Sequence, residues 1–494
     1  MRRISVRLTL CSKLCAAALA ACVLVPAPHT PGAPVAAPAT TQAVDDIHSP
    51  LFWLQRARKD VTANPFVLPD DGEGAASAAE QMENYAQISV QYSRAGNNER
   101  AVDECRKSMI CAKFVTEKSK AAYVFANLVE VLARADQMPQ AAYSLDQCIK
   151  LADDNELVIQ SAAESLLRAG KLEEALGTVT HQLKLPADRI RVETSVAIAY
   201  AKAGNRAKAE EAYKKAEADV VAADAAIQGE PVYRGRWAEQ LVADGEWERA
   251  QAQAARLPPD YAAPLLATIA AAHQQAGAKQ KYEQAADQAM EQLSKVEIEG
   301  VRDAACQQLA KALAAVGDAN RMNRCLEKIP ATKGLIDAHY HFALAIRKAA
   351  AADISGAKAD LDKGLSLLTK KASEKYRMLR IIFVAEAMAK AGKYAEAREL
   401  AAAVPPGTFI IPFDVQIAEF QAEAGQFAQA KAMLETISVQ TMRRVGAFRM
   451  ARAAGIANRD MPSVLKWIES MPSREDRHNC YLKVAEGMND SRKK

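Results

Sequence analysis

An all-α fold made of repeated antiparallel helix hairpins is what this 494-residue sequence predicts, and three observations predict it. Half of the residues are hydrophobic but only 6% are aromatic, and the mean hydropathy is -0.17, so alanine carries much of the apolar content. Alanine is the strongest helix former, whereas sheet cores draw on β-branched and aromatic residues, which are scattered here rather than gathered into alternating runs. The second observation is a bend ending in glycine that recurs along the chain. The third is a small residue at a fixed distance on either side of it.

The N-terminus reads as an address. Arg2, Arg3, Arg7 and Lys13 precede an uncharged run over residues 14–25, rich in alanine, leucine and cysteine and closed by Pro26. That is the outline of a secretory signal over residues 1–25, too short to span a bilayer, which takes about 20 apolar residues. Within it, Leu19-Ala20-Ala21-Cys22 resembles the bacterial lipoprotein box, in which Cys22 would carry the lipid and attach the chain to a membrane. Cleavage after Ala39 or Ala43 is the alternative. The chain has 64 Lys and Arg against 60 Asp and Glu, and those four leading cations account for the net +4. The balanced remainder argues against nucleic acid as a partner, because such binders displace counterions with a basic surface.

Pro26, Pro28, Pro31, Pro34 and Pro38 block helix and sheet over residues 26–46, a spacer. In residues 47–75, Leu51, Phe52, Trp53, Leu54 and Val61 predict a short helix that caps the end of a repeat array or docks a partner. Pro65-Phe66-Val67-Leu68-Pro69 and the acidic Asp70-Asp71-Gly72-Glu73-Gly74 then link it to the first hairpin. Residues 491–494 form a basic tail.

From residue 76 to 490 the bends recur: Arg94-Ala95-Gly96, Arg168-Ala169-Gly170, Lys202-Ala203-Gly204, Gln275-Ala276-Gly277, Lys390-Ala391-Gly392 and Glu423-Ala424-Gly425. Gly245 and Gly317 hold equivalent places, with Asp136, Ala352 and either Asn458 or Arg459 standing in where glycine is missing. Helices commonly stop on a left-handed residue, which glycine adopts without strain. Five residues after the bend stand Ala101, Ala141, Ala175, Ala209, Ala250, Ala357, Ala397 and Ala430. Seven before it stand Ser89, Ala163, Ala197, Ala238, Ala270, Ala310, Ala345, Ala385 and Ala418. Small side chains there let two antiparallel helices approach closely. Tyr282 and Met322 break the pattern and predict a wider crossing. From Gly170 the bends follow at 34, 41, 32, 40, 35 and 40 residues, which suggests duplication of a two-hairpin block.

On these residues the chain resembles the tetratricopeptide repeat family. Val196, Ala197, Tyr200, Gly204, Ala209, Tyr213 and Ala216 stand at that family's spacing, and Ile159, Ala162, Ala163, Leu166, Ala175, Val179 and Pro186 nearly repeat it. Other units are degenerate. The resemblance implies a right-handed α-solenoid of about eleven hairpins with a C-terminal capping helix, whose first helices line a groove for peptides or helices of other proteins. Carried over by position, the groove residues are Gln160, Glu164, Arg168, Arg191, Lys202, Glu239, Gln307, Lys311, Glu386, Lys390 and Glu419. The lysine and asparagines by which chaperone-binding members hold a terminal carboxylate are missing. Ala86, Ala126, Gln160 and Thr194, and Val90, Glu130, Glu164 and Ile198, occupy those places.

No constellation for catalysis, cofactor or metal emerges. His339 and His341 are two apart on a helix and so point about 200° away from each other. Of nine cysteines, Cys105, Cys111, Cys148, Cys306, Cys325 and Cys480 follow the leader without any Cys-x-x-Cys pair. Cys105 and Cys148 fall at core positions, and Cys306 and Cys325, at matching heights on one hairpin, are the best disulfide candidates. Trp237 and Trp247 read as core. The expectation is a non-catalytic interaction scaffold of a bacterial cell envelope. The alternatives are an accessory or regulatory subunit of an enzyme or sensor built around His339, His341, Asp337 and the cysteines, and a cytoplasmic scaffold if the N-terminus is retained.

Overall fold

The computed structural model describes residues 46–62, 74–153, 155–227, 229–296, 316–327, 333–368, 374–405 and 411–492, with 302, 306, 309, 310, 313 and 408 besides. Cys22, the 26–45 spacer, Pro65 to Glu73, Gln307 and Lys311 lie outside the described residues. Among those described there are twenty-three helices and no strand. None is long and apolar enough to cross a membrane.

In chain order the helices are α1 (Pro50–Thr62), α2 (Gly74–Arg94), α3 (Asn98–Ala112), α4 (Lys118–Arg134), α5 (Met138–Ala152), α6 (Glu156–Arg168), α7 (Leu172–Gln182), α8 (Pro186–Lys202) and α9 (Arg206–Ala226). Then come α10 (Val232–Ala243), α11 (Trp247–Ala254), α12 (Pro259–Gln275), α13 (Lys279–Ser294), α14 (Ala319–Leu326), α15 (Lys333–Ala350), α16 (Ile354–Leu367), α17 (Glu374–Lys390) and α18 (Tyr394–Ala401). The last five are α19 (Phe413–Glu423), α20 (Phe427–Glu435), α21 (Gln440–Ala457), α22 (Met461–Glu469) and α23 (Arg474–Ser491). They form two compact units: Pro31–Asp219 with Ile411–Lys494, and Val220–Ile410.

One turn is used again and again. After α2 the amide of Gly96 donates to the carbonyl of Ser93 at 3.0 Å, and that of Asn97 donates to Tyr92 at 2.9 Å. This pair of bonds satisfies carbonyls that a helix end leaves open. The same pair closes α6, where Gly170 donates to Leu167 and Lys171 to Leu166, and it recurs after α4, α8, α10, α12, α15, α17 and α19. It requires a positive φ, which Gly96 takes at 82° and Gly170 at 78°. The three replacements bend the same way, Asp136 at 56°, Ala352 at 62° and Asn458 at 49°, so Asn458 rather than Arg459 makes the last bend.

The small residues on either side of the bends are the contact between paired helices. Ser89, Ala163, Ala197, Ala238, Ala270, Ala310, Ala345, Ala385 and Ala418 are wholly buried, as are Ala101, Ala175, Ala250, Ala357, Ala397 and Ala430. Tyr282 and Met322, which interrupt the pattern, are buried too, and the Tyr282 hydroxyl donates to the Asp318 carboxylate.

In the unit that contains Ile411–Lys494, α1 packs on α23 and on α2. Its Trp53, Leu54 and Ala57 are wholly buried, with the Trp53 ring 6.0 Å from that of Tyr481. Arg56 pairs with Glu469 at 2.6 Å, Arg58 with Glu104 at 2.6 Å, and His48 Nδ1 lies 3.0 Å from Asn458 Oδ1. The helix read from Leu51 to Val61 therefore bridges the first hairpin to the last helices. Glycines bring α21 and α23 together: a Cβ on Gly455 would stand 2.2 Å from the Val484 carbonyl oxygen.

Candidate partner-binding face

Four first helices of that same unit, α2, α4, α6 and α8, neighbour one another in sequence order. Each ends on a cation two residues before its bend: Arg94, Arg134, Arg168 and Lys202. A cation at a helix C-terminus meets the negative end of the helix dipole. One turn earlier, α4 carries Glu130 and α6 carries Glu164.

Glu130 is buried beneath three arginines from three successive helices. Arg168 Nε donates to it at 2.8 Å, Arg134 Nη2 lies 3.2 Å away and Arg94 Nε 3.9 Å. Arg134 also donates to the Arg168 main-chain carbonyl at 2.7 Å, and Asn98 donates to that of Arg134 at 3.3 Å, so each helix end is tied to the next. Glu164 accepts from Gln160 at 2.8 Å and lies 3.5 Å from Arg191 Nε and 3.9 Å from Arg168.

The expected groove residues Gln160, Glu164, Arg168 and Arg191 are thereby brought into one network, although Gln160 is almost wholly buried in it. Lys202 is exposed at the end of the row. Eleven residues, or three turns, before Arg134 and Arg168 on the same helix faces stand Tyr123 and Leu157, which are 43% and 63% exposed. Sequence reasoning passed over Arg94, Glu130 and Arg134 as a set, and over Tyr123 and Leu157. Aligning the repeats on their bends places the cations in one column, which was the available signal.

The other groove candidates stand apart from this network. In the same unit Glu419 pairs with Arg449 at 2.7 Å, and burial raises its carboxyl although Arg449 pulls the other way. In the other unit Glu386 pairs with Lys390 at 2.8 Å. Glu239 has an open surface, yet the protein crowded around it desolvates the carboxyl and pushes it up to about 7, against a smaller pull from Arg236.

The chemistry-bearing residues disperse. His341 Nδ1 lies 2.8 Å from Asp360 Oδ1, and Lys348 Nζ lies 2.6 Å from Asp360 Oδ2. Although burial raises the Asp360 carboxyl, those two partners hold it below the ordinary carboxylate range. His339 faces instead the Tyr376 hydroxyl at 3.0 Å. No group of three ligands able to hold a metal occurs among the described residues. Burial pushes the thiols of Cys105 and Cys148 up to about 12 and raises that of Cys480. Cys306 and Cys325 are buried, and Cys325 Sγ lies 3.3 Å from Met290 Sδ. Trp237 is core, whereas Trp247 is half-buried, with its ring edge-on to His273 at 4.9 Å and its Nε1 donating to the Val242 carbonyl at 3.2 Å.

No family model and no curated protein matches the chain. Among solved structures it is similar to a protein of Thermococcus onnurineus NA1, Ton1535, at 14% identity and a TM-score of 0.22, over 88% of this chain and 99% of that one. It is also similar to a circular tandem repeat protein with a novel repeat topology and enhanced subunit contact surfaces, at 13% identity and a TM-score of 0.16, over 90% of this chain and 96% of the other. At those scores neither likeness carries an argument. The all-α repeat is established by the recurring bends and buried alanines of the chain itself, and such a fold is compatible with an interaction scaffold.

Proposed function

We propose that the protein is a non-catalytic scaffold of the bacterial cell envelope, binding peptides or helices of other proteins along its first helices. In this reading about eleven hairpins and the capping helix α23 form a right-handed, tetratricopeptide-like solenoid. The chain is exported on residues 1–25, and Cys22 is its point of lipid attachment.

One observation carries the reading. Adjacent helices α4, α6 and α8 leave Tyr123, Leu157 and Arg191 open to solvent on one face, while their opposite faces are buried. Two such side chains, Leu157 and Tyr123, exposed at equivalent positions of adjacent helices support a contact surface for another protein.

Photoreactive residues placed singly at Leu157 and, on a second helix, at Lys150 test it in living cells. Discrete adducts from 157 but not 150 are expected; adducts from neither position, or turnover of a substrate by the purified chain, would overturn it. The mass of the mature N-terminus tests export and acylation separately. A protein starting at an acylated Cys22 is expected, and an intact Met1 terminus in the mature protein would refute both. Oxidation after export would join Cys306 to Cys325, detected as a mass two units lower without reductant than with it.

A further inference from the structure

The C-terminal ends of α2, α4 and α6 place Arg94, Arg134 and Arg168 around Glu130, with Arg168 also 3.9 Å from Glu164, and α8 carries the exposed Lys202 at the equivalent position. Two further acids at this edge are matched, while Glu174 and Glu211 stand near Tyr200 on α8. Asp136 pairs with Lys171 at 2.6 Å, and Glu173 pairs with Lys208. Glu83, lower on the face, pairs with Lys120 at 3.1 Å. Asp188 and Glu156 lie at the opposite, N-terminal ends of α8 and α6. The four cations of the row outnumber the two carboxylates that pair with its arginines. Its arginines are between 24% and 38% exposed, and Arg134 Nε is a buried donor without a hydrogen-bond acceptor. Water screens such a row poorly because protein lies beneath it, so an anion laid across it exchanges hydration for several charge-assisted hydrogen bonds.

We propose that this row receives an extended acidic segment of a partner protein, with Asp or Glu at about every third residue. The period follows from geometry. Packed helices lie about 8–10 Å apart, and an extended polyproline II segment advances about 3.1 Å per residue with three residues per turn, so every third side chain lies on one face and meets the next cation. The proposal rests on the scaffold reading above and adds the chemistry of the partner. It differs from capture of a terminal carboxylate, because the cations form a line across four helices rather than a pocket around one group.

The test uses the full-length mature protein and a fluorescein-labelled peptide of repeating Glu-Ser-Gly, with a Gln-Ser-Gly control. The acidic peptide is expected to bind at least tenfold more tightly than the control and to weaken steeply with salt. Arg94→Gln and Lys202→Glu should each weaken it at least threefold without lowering the melting temperature. These two positions are chosen because Arg94 only approaches Glu130 and Lys202 makes no ion pair among the described residues. Equal binding of the two peptides, or no effect of either variant, overturns the proposal. So does tighter binding of a single-stranded oligonucleotide at the same row. If no acidic peptide binds while position 157 still crosslinks, this proposal falls and the scaffold reading stands. If both experiments fail, both fall.

Discussion

His478 Nδ1 lies 2.9 Å from the carbonyl oxygen of Ala57, joining α23 to α1 across 421 residues. A carbonyl only accepts, so Nδ1 carries the proton and Nε2, buried without a partner, is the bare nitrogen. Burial is the main reason that the ring's pKa is lowered, with Arg474 acting the same way and the Ala57 bond, Asp60 and Glu475 opposing.

The unfolded chain takes up a proton near the ordinary value of about 6.5, while the folded one resists until a lower pH. Stability supplied by the neutral ring is therefore present above about 6.5 and lost as pH falls toward the folded value. The protection of α1 amides against hydrogen exchange, corrected for the intrinsic slowing of exchange toward acid, should fall from pH 7 to pH 5, and His478→Gln should flatten that dependence. An unchanged pH profile in the variant would contradict this account.

Glu193 behaves in the opposite sense. It is wholly buried in α8, both carboxylate oxygens lack a hydrogen bond, and Lys215 Nζ stands 3.6 Å away. Burial, aided by Asp219, pushes its carboxyl up to about 7, although Lys215 and Arg189 oppose. The folded chain holds this proton more tightly than the unfolded one, so stability is full below about pH 4.5 and lost as pH rises to about 7. Glu193→Gln should raise the urea midpoint at pH 8 by the equivalent of about 1–3 kcal/mol and change little at pH 5. A destabilised variant at pH 8 would show that the carboxylate is paired there.

Ala197 is wholly buried on α8, seven residues before the Gly204 bend. Ala197→Leu should cost about 1–3 kcal/mol through overpacking. Unchanged thermal unfolding would mean that the hairpin register is wrong.

Ala352 performs a glycine's task at the bend after α15, with φ at 62°. The left-handed conformation costs a residue bearing a Cβ about 1–2 kcal/mol, so Ala352→Gly should stabilise the protein by about 1 kcal/mol. A calorimetric midpoint that drops would refute it.

Asp136, Ala352 and Asn458 show why the fold was so legible. The bend is a local demand on φ, and its spacing survives the loss of the glycine that usually marks it. Ala197 was legible for the same reason, since a close helix crossing admits little else. The face was less so. Arg168 and Glu164 were placed on the groove only by the resemblance; it takes the neighbouring helices to reveal that Glu130 lies under three guanidiniums. The partner of α1 was hidden altogether, because no local pattern says that Trp53 will meet Tyr481.

That meeting imposes an order on biosynthesis. A repeat array can assemble from its leading end as the chain emerges, each hairpin settling on the one before. The helix around Trp53 has only half of its seat until the final turns near Tyr481 have been made. A chain cut before Tyr481 would leave the Trp53 indole without the aromatic partner that helps to bury it.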